Sequence, residues 1–315
     1  MPEARQLGGR KQGADMVVLV AGGTGFIGRA IVSALRRDGH EVRVLSRGGK
    51  GGNPFVHDRG VTLVAGDVRD AASLSAAVAG VDTIVGAVQF PGHPIEVPKK
   101  DLTYDEYDRK GTENLVAAGK KAGVSRFIYL SGAGVGQGKS EEWFVAKDKA
   151  EAAVRNSGMT WTILRPSWVY GPRDRSLNRF ALFARTLPVV PLTGPGKNRV
   201  RPVHVDDVAT VVTLALTVPA AENAVFEIGG PQLLSMRQIV HTMLEVMGKK
   251  RLVLPAPQPL VKLGAALLYR LPGRLLSPRA VDFVNAEGDV DLRALHEELG
   301  FRPRAFADGI GYLRR

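Results

Sequence analysis

The chain contains no cysteine, which excludes disulfides, thiolate nucleophiles and cysteine-ligated metal sites and places no redox demand on its compartment. No apolar run approaches the roughly 18 residues needed to cross a bilayer. Acidic residues are in short supply: 31 Asp and Glu stand against 43 Lys and Arg, for a net charge of +12. That excess draws anionic partners at long range, whether a nucleotide, a nucleic acid or an acidic membrane surface. Nucleic acid is set aside, because the basic residues are scattered and accompany no helix-turn-helix signature, zinc spacing or aromatic-basic RNA motif. No metal site is read from the chain. The first fifteen residues hold basic side chains but no apolar core of the secretory kind. Residues 1–15 read as a disordered tail or an upstream start ahead of Met16, and the cytoplasm is the expected location.

What is present is length and alternation. The 315 residues, 44% of them hydrophobic, suffice for one sizeable body. Strand-like runs fall at 16–21, 41–46, 61–66, 82–87, 126–131 and 161–166. Helical patterns lie between them at about 25–38, 70–79, 103–122 and 141–157. Strand, helix, strand at this spacing predicts parallel strands with helices on both faces, an α/β doubly wound fold. Residues 16–166 form the expected dinucleotide-binding core. From 167 to 315 the texture changes, with the Pro-rich stretch 187–202 and helical segments near 206–217, 235–247 and 258–270. This half reads as a smaller substrate-side subdomain interleaved with the core.

The segment VVLVAGGTGFIGRAIVSALRRDGH (17–40) sets strand, glycine-rich turn and helix in order. Gly22, Gly25 and Gly28 keep G-x-x-G-x-x-G spacing, and Gly23, Gly25 and Gly28 also satisfy G-x-G-x-x-G. Such glycines permit a tight turn and close backbone approach, and the helix start offers free N–H groups to a pyrophosphate. The second strand ends in VLSRGGK with Ser46 and Arg47 at its tip, Lys50 beyond, and no carboxylate. A cation there suits a 2′-phosphate, so NADP(H) is favoured over NAD(H); the competing reading makes Arg47 a solvated loop residue. In AGDVRD (65–70), Asp67 and Val68 face the adenine, or Asp67 caps the helix that starts near Asp70.

Taken in order, GGTGFIG, AGDVRD, YDRKGTENLVAAGKKAGVSRFIYLSG, AKDKAE, LRPSWVYGP and RPVHVDDVA resemble the short-chain dehydrogenase/reductase superfamily in its extended or atypical branch. The chain is most similar to proteins related to the NADPH-binding accessory subunit of respiratory complex I, and more loosely to the NmrA-like proteins. The resemblance implies an oxidoreductase acting on a hydrophobic small molecule or, alternatively, a catalytically silent cofactor-binding protein with a structural, assembly or redox-sensing role. It places Gly22, Gly23, Thr24, Gly25, Phe26, Ile27 and Gly28 at the pyrophosphate. Ser46 and Arg47 fall at the 2′-phosphate, Asp67 and Val68 at adenine, Ala87 and Val88 at the ribose, and Pro166 at the nicotinamide.

Members that work on carbonyls or alcohols use a Tyr-x-x-x-Lys pair, whose spacing puts both side chains on one helical face, and a serine after the fifth strand. In EEWFVAKDKAE (141–151) the lysine is Lys147, but the tyrosine position holds Trp143, and an indole cannot cycle a proton near neutral pH. None of Tyr104, Tyr107, Tyr129, Tyr170, Tyr269 or Tyr312 has a lysine four residues on. The serine position holds Gly132, with Ser131 one residue early. The expected catalytic set is therefore Lys147, Ser131 and Tyr170, the last either as a substitute acid or, on the competing reading, as a loop anchor. Lys147 either holds the nicotinamide ribose or pairs with Glu151 as surface charge; on the first reading Lys147→Ala removes turnover and changes stability little. Trp143 reads as packing beneath the nicotinamide end. The segment 259–276, which mixes apolar residues with Lys262, Arg270 and Arg274, is either a membrane- or partner-facing helix or a helix that closes the pocket.

Overall fold

The computed structural model describes residues 16–48, 53–257 and 287–314, together with Pro259, Val261 and Leu263. The tail 1–15, Lys50 and nearly all of 259–276 lie outside the described residues. The first half runs β1 (Val17–Ala21), α1 (Phe26–Arg37), β2 (Glu41–Ser46), β3 (Val61–Ala65), α2 (Ser75–Val78), β4 (Thr83–Gly86), α3 (Gly111–Ala122), β5 (Arg126–Leu130), α4 (Glu142–Arg155) and β6 (Thr160–Pro166). The second half adds β7 (Val169–Tyr170), α5 (Leu177–Thr186), β8 (Val189–Thr193), β9 (Arg199–Val200), β10 (Val203–His204), α6 (Val205–Thr217), β11 (Ala224–Ile228), β12 (Leu234–Ser235), α7 (Met236–Val246) and β13 (Leu252–Ala256).

Seven strands form one parallel sheet in the order β11-β6-β5-β4-β1-β2-β3. Alternation along β1 decides its faces. Val18 and Val20 pack with Ile31 and Leu35 of α1 and Val208 and Val212 of α6. Leu19 and Ala21 face the opposite layer, with Leu115 of α3 and Ala146, Ala150 and Val154 of α4. The fold is the doubly wound α/β class that the run of strands and helices predicts. The later half supplies both the edge strand β11 and the helix α6, so the sheet and one helical layer are closed by residues beyond 166. A third apolar cluster, built on Leu177, Ala181, Ile239, Met243, Phe306 and Ile310, packs α5 and α7 against the residues around 306–310.

One stretch differs from its sequence reading. Residues 187–202 look irregular because of their prolines, yet they contain β8 and β9. Pro191 sits within β8, whose one strand partner among the described residues is β13, and an edge strand tolerates the missing donor.

The strand order reverses between β1 and β4, and in such sheets the crevice outside the carboxyl ends at that point is where ligands bind. The glycine turn leaves β1 there, and Ala87 and Val88 leave β4 beside it.

Candidate functional site

At the crevice the backbone is packed too closely for side chains. Gly22 has φ +90°, and a Cβ built on it would lie 2.3 Å from the Ala87 carbonyl oxygen. A Cβ on Gly28 would lie 2.1 Å from the Gly22 carbonyl oxygen, so α1 rests directly on the turn. Gly25 N-caps α1, its own N–H donates to Gly22 O at 2.9 Å, and no side chain caps the helix start. The amides of Phe26, Ile27 and Gly28 thus open onto the crevice with the positive end of a twelve-residue helix behind them. Arg29 pins the turn by donating from Nε to Thr24 O at 2.8 Å. Burial and the neighbouring Arg173 charge pull Arg29 below its ordinary pKa, which marks this as a cationic corner suited to a diphosphate.

At the tips of β2 and β3 the side chains form one cluster. Arg47 donates to the Tyr107 hydroxyl at 2.7 Å, and its guanidinium lies 5.6 Å from that ring's centre. Arg69 lies 4.8 Å over the same ring and is forked onto Asp67, with its closest contact at 2.7 Å. Burial works to raise the Asp67 pKa, but the Arg69 hydrogen bonds and the Arg47 charge outweigh it and hold the carboxylate below its usual range. The cap reading for Asp67 is corrected here: Asp70 accepts from the Ala72 amide and caps the following turn. Ser46 ends β2 and its hydroxyl accepts from the Gly48 amide at 3.3 Å. Val68 is buried, and its carbonyl accepts from Asn114 at 2.8 Å. Arg47 is not a lone solvated residue, and Arg69 and Tyr107 join it although the sequence reading passed over both.

The end of the crevice beside Pro166 and the α4 face, where the nicotinamide is expected, is where the structure departs most from expectation. Lys147 is buried, and its ammonium meets Asp108 at 2.9 Å and donates to Leu130 O at 2.8 Å, with the Tyr129 ring centre 4.9 Å away. Burial alone would depress the Lys147 pKa, but the Asp108 charge raises it above its usual value. The proposed surface pair with Glu151 does not form. Glu151, also buried, instead accepts from Arg165 at 2.9 and 2.7 Å, from Arg155 at 2.8 Å and from the Ser131 hydroxyl at 2.6 Å.

That network corrects the reading of Ser131, whose buried hydroxyl is committed to clipping β5 to α4 and β6. Tyr170 is corrected as well. Its side chain is fully buried in the third cluster, edge-on to Phe306 and His204, with its hydroxyl aimed at Phe306 O. The ring cannot deliver a proton to the crevice from there. Trp143 lies against Gly132 so closely that a Cβ on Gly132 would come within 2.4 Å of the indole. Tryptophan and glycine thus fill each other's space at the two positions where the resemblance expects tyrosine and serine.

Two groups here escaped sequence reasoning. Asp108 lies on the inward stripe Tyr104, Tyr107, Asp108, Gly111 and Leu115, and a carboxylate on such a face signals a buried cation opposite. His93 stands edge-on to Phe90 and Tyr104, with ring centres 5.8 and 5.6 Å apart. Burial, helped by the Lys147 charge, lowers its pKa to about 3. The unfolded chain then binds this proton more readily than the folded one, so stability falls as pH drops from about 6.5 toward about 3. Between pH 6.5 and 5 the expected loss is roughly 1–2 kcal/mol, and urea titrations of His93→Gln should show that part of the slope removed.

The profile of a family described as NAD(P)H-binding matches residues 22–219. Over 291 residues the chain is 28% identical to the mitochondrial NADH dehydrogenase [ubiquinone] 1 alpha subcomplex subunit 9 of Arabidopsis thaliana, covering 89% of this chain and 71% of that one. It is 29% identical over 250 residues to a ceramide reductase of Caulobacter vibrioides, covering 78% and 73%. Among solved structures, a dTDP-glucose 4,6-dehydratase of Streptomyces venezuelae with NAD and TYD bound superposes with a TM-score of 0.73 at 24% identity, over 95% of this chain and 96% of that one. At that identity the likeness speaks for the fold.

Proposed function

The chain belongs to the NAD(P)H-binding family, and from that premise we propose that it binds NADP(H) and holds it without the tyrosine-driven proton relay of carbonyl reductases. The mutual filling of Trp143 and Gly132 carries this reading. It leaves neither a phenol nor a hydroxyl at the positions that pass a proton in the superfamily the sequence resembles. Ser131 and Tyr170, the nearest substitutes, are spent elsewhere.

The residues fit the cofactor. The cradle from Gly22 to Gly28 has room for backbone and diphosphate only. Arg47, held on Tyr107 with the Arg69–Asp67 pair beside it, provides a guanidinium for a 2′-phosphate, a group that an acidic tip would repel. The Val68 backbone serves the adenine, since Asp67 is engaged with Arg69. Ala87 and Val88 lie by the ribose and Pro166 by the nicotinamide, whereas the Lys147 ammonium, buried and held by Asp108 and Leu130 O, is already engaged and does not serve the second ribose. When bound, the cofactor supplies a hydride. The acceptor, a hydrophobic small molecule, would have to draw its proton from water.

A second reading rests on the Arabidopsis relative, named as a subunit of a respiratory assembly. On it, the chain uses its bound nucleotide to stabilise a surface that docks into a protein complex. One experiment tests the first reading. Titration of the purified protein with NADPH and NADH should show NADPH bound more tightly, and Arg47→Ala should weaken NADPH about 10–100-fold, the loss of one or two charged hydrogen bonds, while leaving NADH unchanged. Oxidation of NADPH should be absent across simple aldehydes and ketones. Brisk turnover of any of them would overturn the reading, as would equal affinity for the two nucleotides.

A further inference from the structure

The two-stranded sheet of β8 and β13 turns a largely apolar face outward. In β8, Val190 and Leu192 are buried while Pro191 is exposed; in β13, Leu252 and Leu254 are 67% and 48% exposed. The parallel register sets Leu252 opposite Val189 and Leu254 opposite Pro191, and side chains two residues apart share a face. Leu187, two residues before Val189 in extended backbone, is 41% exposed and continues the same row. A strip of five apolar side chains thus stands on a surface that a monomer would ordinarily break with polar residues.

Basic clusters bound this strip at both ends. Lys249, Lys250 and Arg251 line a cleft with Leu252, in which Glu245 is the one carboxylate among the described residues. Lys197, Arg199 and Arg237 line a second cleft with Pro255, in which no carboxylate occurs among the described residues. Six cations against one anion around an apolar strip match a surface that is negative outside and hydrocarbon just beneath. A nucleic acid would use the cations but not the leucines, and an aromatic platform for bases is missing from the strip.

We propose that the β8–β13 face seats the protein on an anionic bilayer surface, with Leu252 and Leu254 entering the headgroup layer and the flanking lysines and arginines meeting lipid phosphates. The contact is independent of the cofactor reading. It also places membrane attachment on described residues rather than on the segment 259–276.

The full chain would be sedimented with vesicles of phosphatidylcholine alone and of phosphatidylcholine with phosphatidylglycerol. Binding is expected only to the anionic vesicles and should weaken as salt is raised. The pair Lys249→Glu and Lys250→Glu should reduce it by about fivefold or more per lysine. The pair Leu252→Ser and Leu254→Ser should release the protein even at low salt, with circular dichroism unchanged because both side chains are exposed. Wild-type protein left in the supernatant would overturn the proposal. So would leucine variants that bind like wild type, since the contact would then be charge alone. A wild type that dimerises while the leucine variants are monomeric would assign the face to a second copy instead.

Discussion

Asp108→Ala is expected to cost about 3–5 kcal/mol of stability, because it leaves the Lys147 ammonium buried with no counter-charge. The two side chains are 0% and 5% exposed and meet at 2.9 Å. Lys147→Ala strands the carboxylate instead and should cost a similar amount. That corrects the expectation, drawn from the helix alone, that losing this lysine would barely affect stability. Replacing both at once, as Asp108→Leu with Lys147→Met, should recover most of the loss, since an apolar pair of similar volume avoids both desolvation costs. The pH dependence distinguishes the cases. In the wild type Asp108 raises the Lys147 pKa above its usual value, so the contribution is intact below the unfolded pKa of about 10.4 and stability is flat in this group near neutrality. In Asp108→Ala, burial drives the lysine pKa below its unfolded value, the unfolded chain binds the extra proton, and stability should climb from pH 7 to 9. Urea denaturation at three pH values measures both effects.

The same pair shows what a sequence can and cannot reveal. Trp143, Ala146, Lys147, Ala150, Glu151 and Val154 recur at helical spacing, so the stripe that buries α4 was legible, and so was the presence of two ionisable groups on it. Their partners were not. Asp108 and Arg165 come from 39 residues before Lys147 and 14 after Glu151, and only the parallel order of β4, β5 and β6 brings them together. The sheet itself could be read because each strand of the first half is a compact run of β-branched, aromatic or other apolar residues between turn signals. Its edge strand, AVFEI at 224–228, could not be distinguished from its loop-rich surroundings. The glycine turn was legible because each glycine answers a local steric demand. The Arg47–Tyr107–Arg69 cluster was not, since Tyr107 reaches it across 60 residues. Ser131 and Tyr170 were misplaced for a shared reason: sequence gives their proximity to the strand ends but not the direction in which the side chains leave.

Gly28→Ala should abolish measurable NADPH binding, with a dissociation constant raised about 100-fold or more. The added methyl would sit 2.1 Å from Gly22 O and 2.7 Å from Gly23 Cα. These are backbone atoms that cannot rotate away, so α1 must lift off the turn and carry its first-turn amides with it. A displacement of that kind costs several charge-assisted hydrogen bonds to a diphosphate together, each worth about 1.5–3 kcal/mol. Gly22→Ala should act similarly by forcing β1 and β4 apart at Ala87, with the strain of φ +90° added. Gly25→Ala meets only Gly22 O at 3.1 Å and has φ −75°, so a loss of tenfold or less is expected. Gly39→Ala separates strain from site geometry. Its φ is +89°, yet nothing lies within 4 Å of the added methyl, so it should lose about 1 kcal/mol of stability and keep its affinity. Titration calorimetry across the four variants, with a melting curve for each, reads the order directly. If Gly28→Ala bound NADPH as the wild type does, the turn would not be the diphosphate cradle, because no path exists by which the methyl fits and the amides stay where they are.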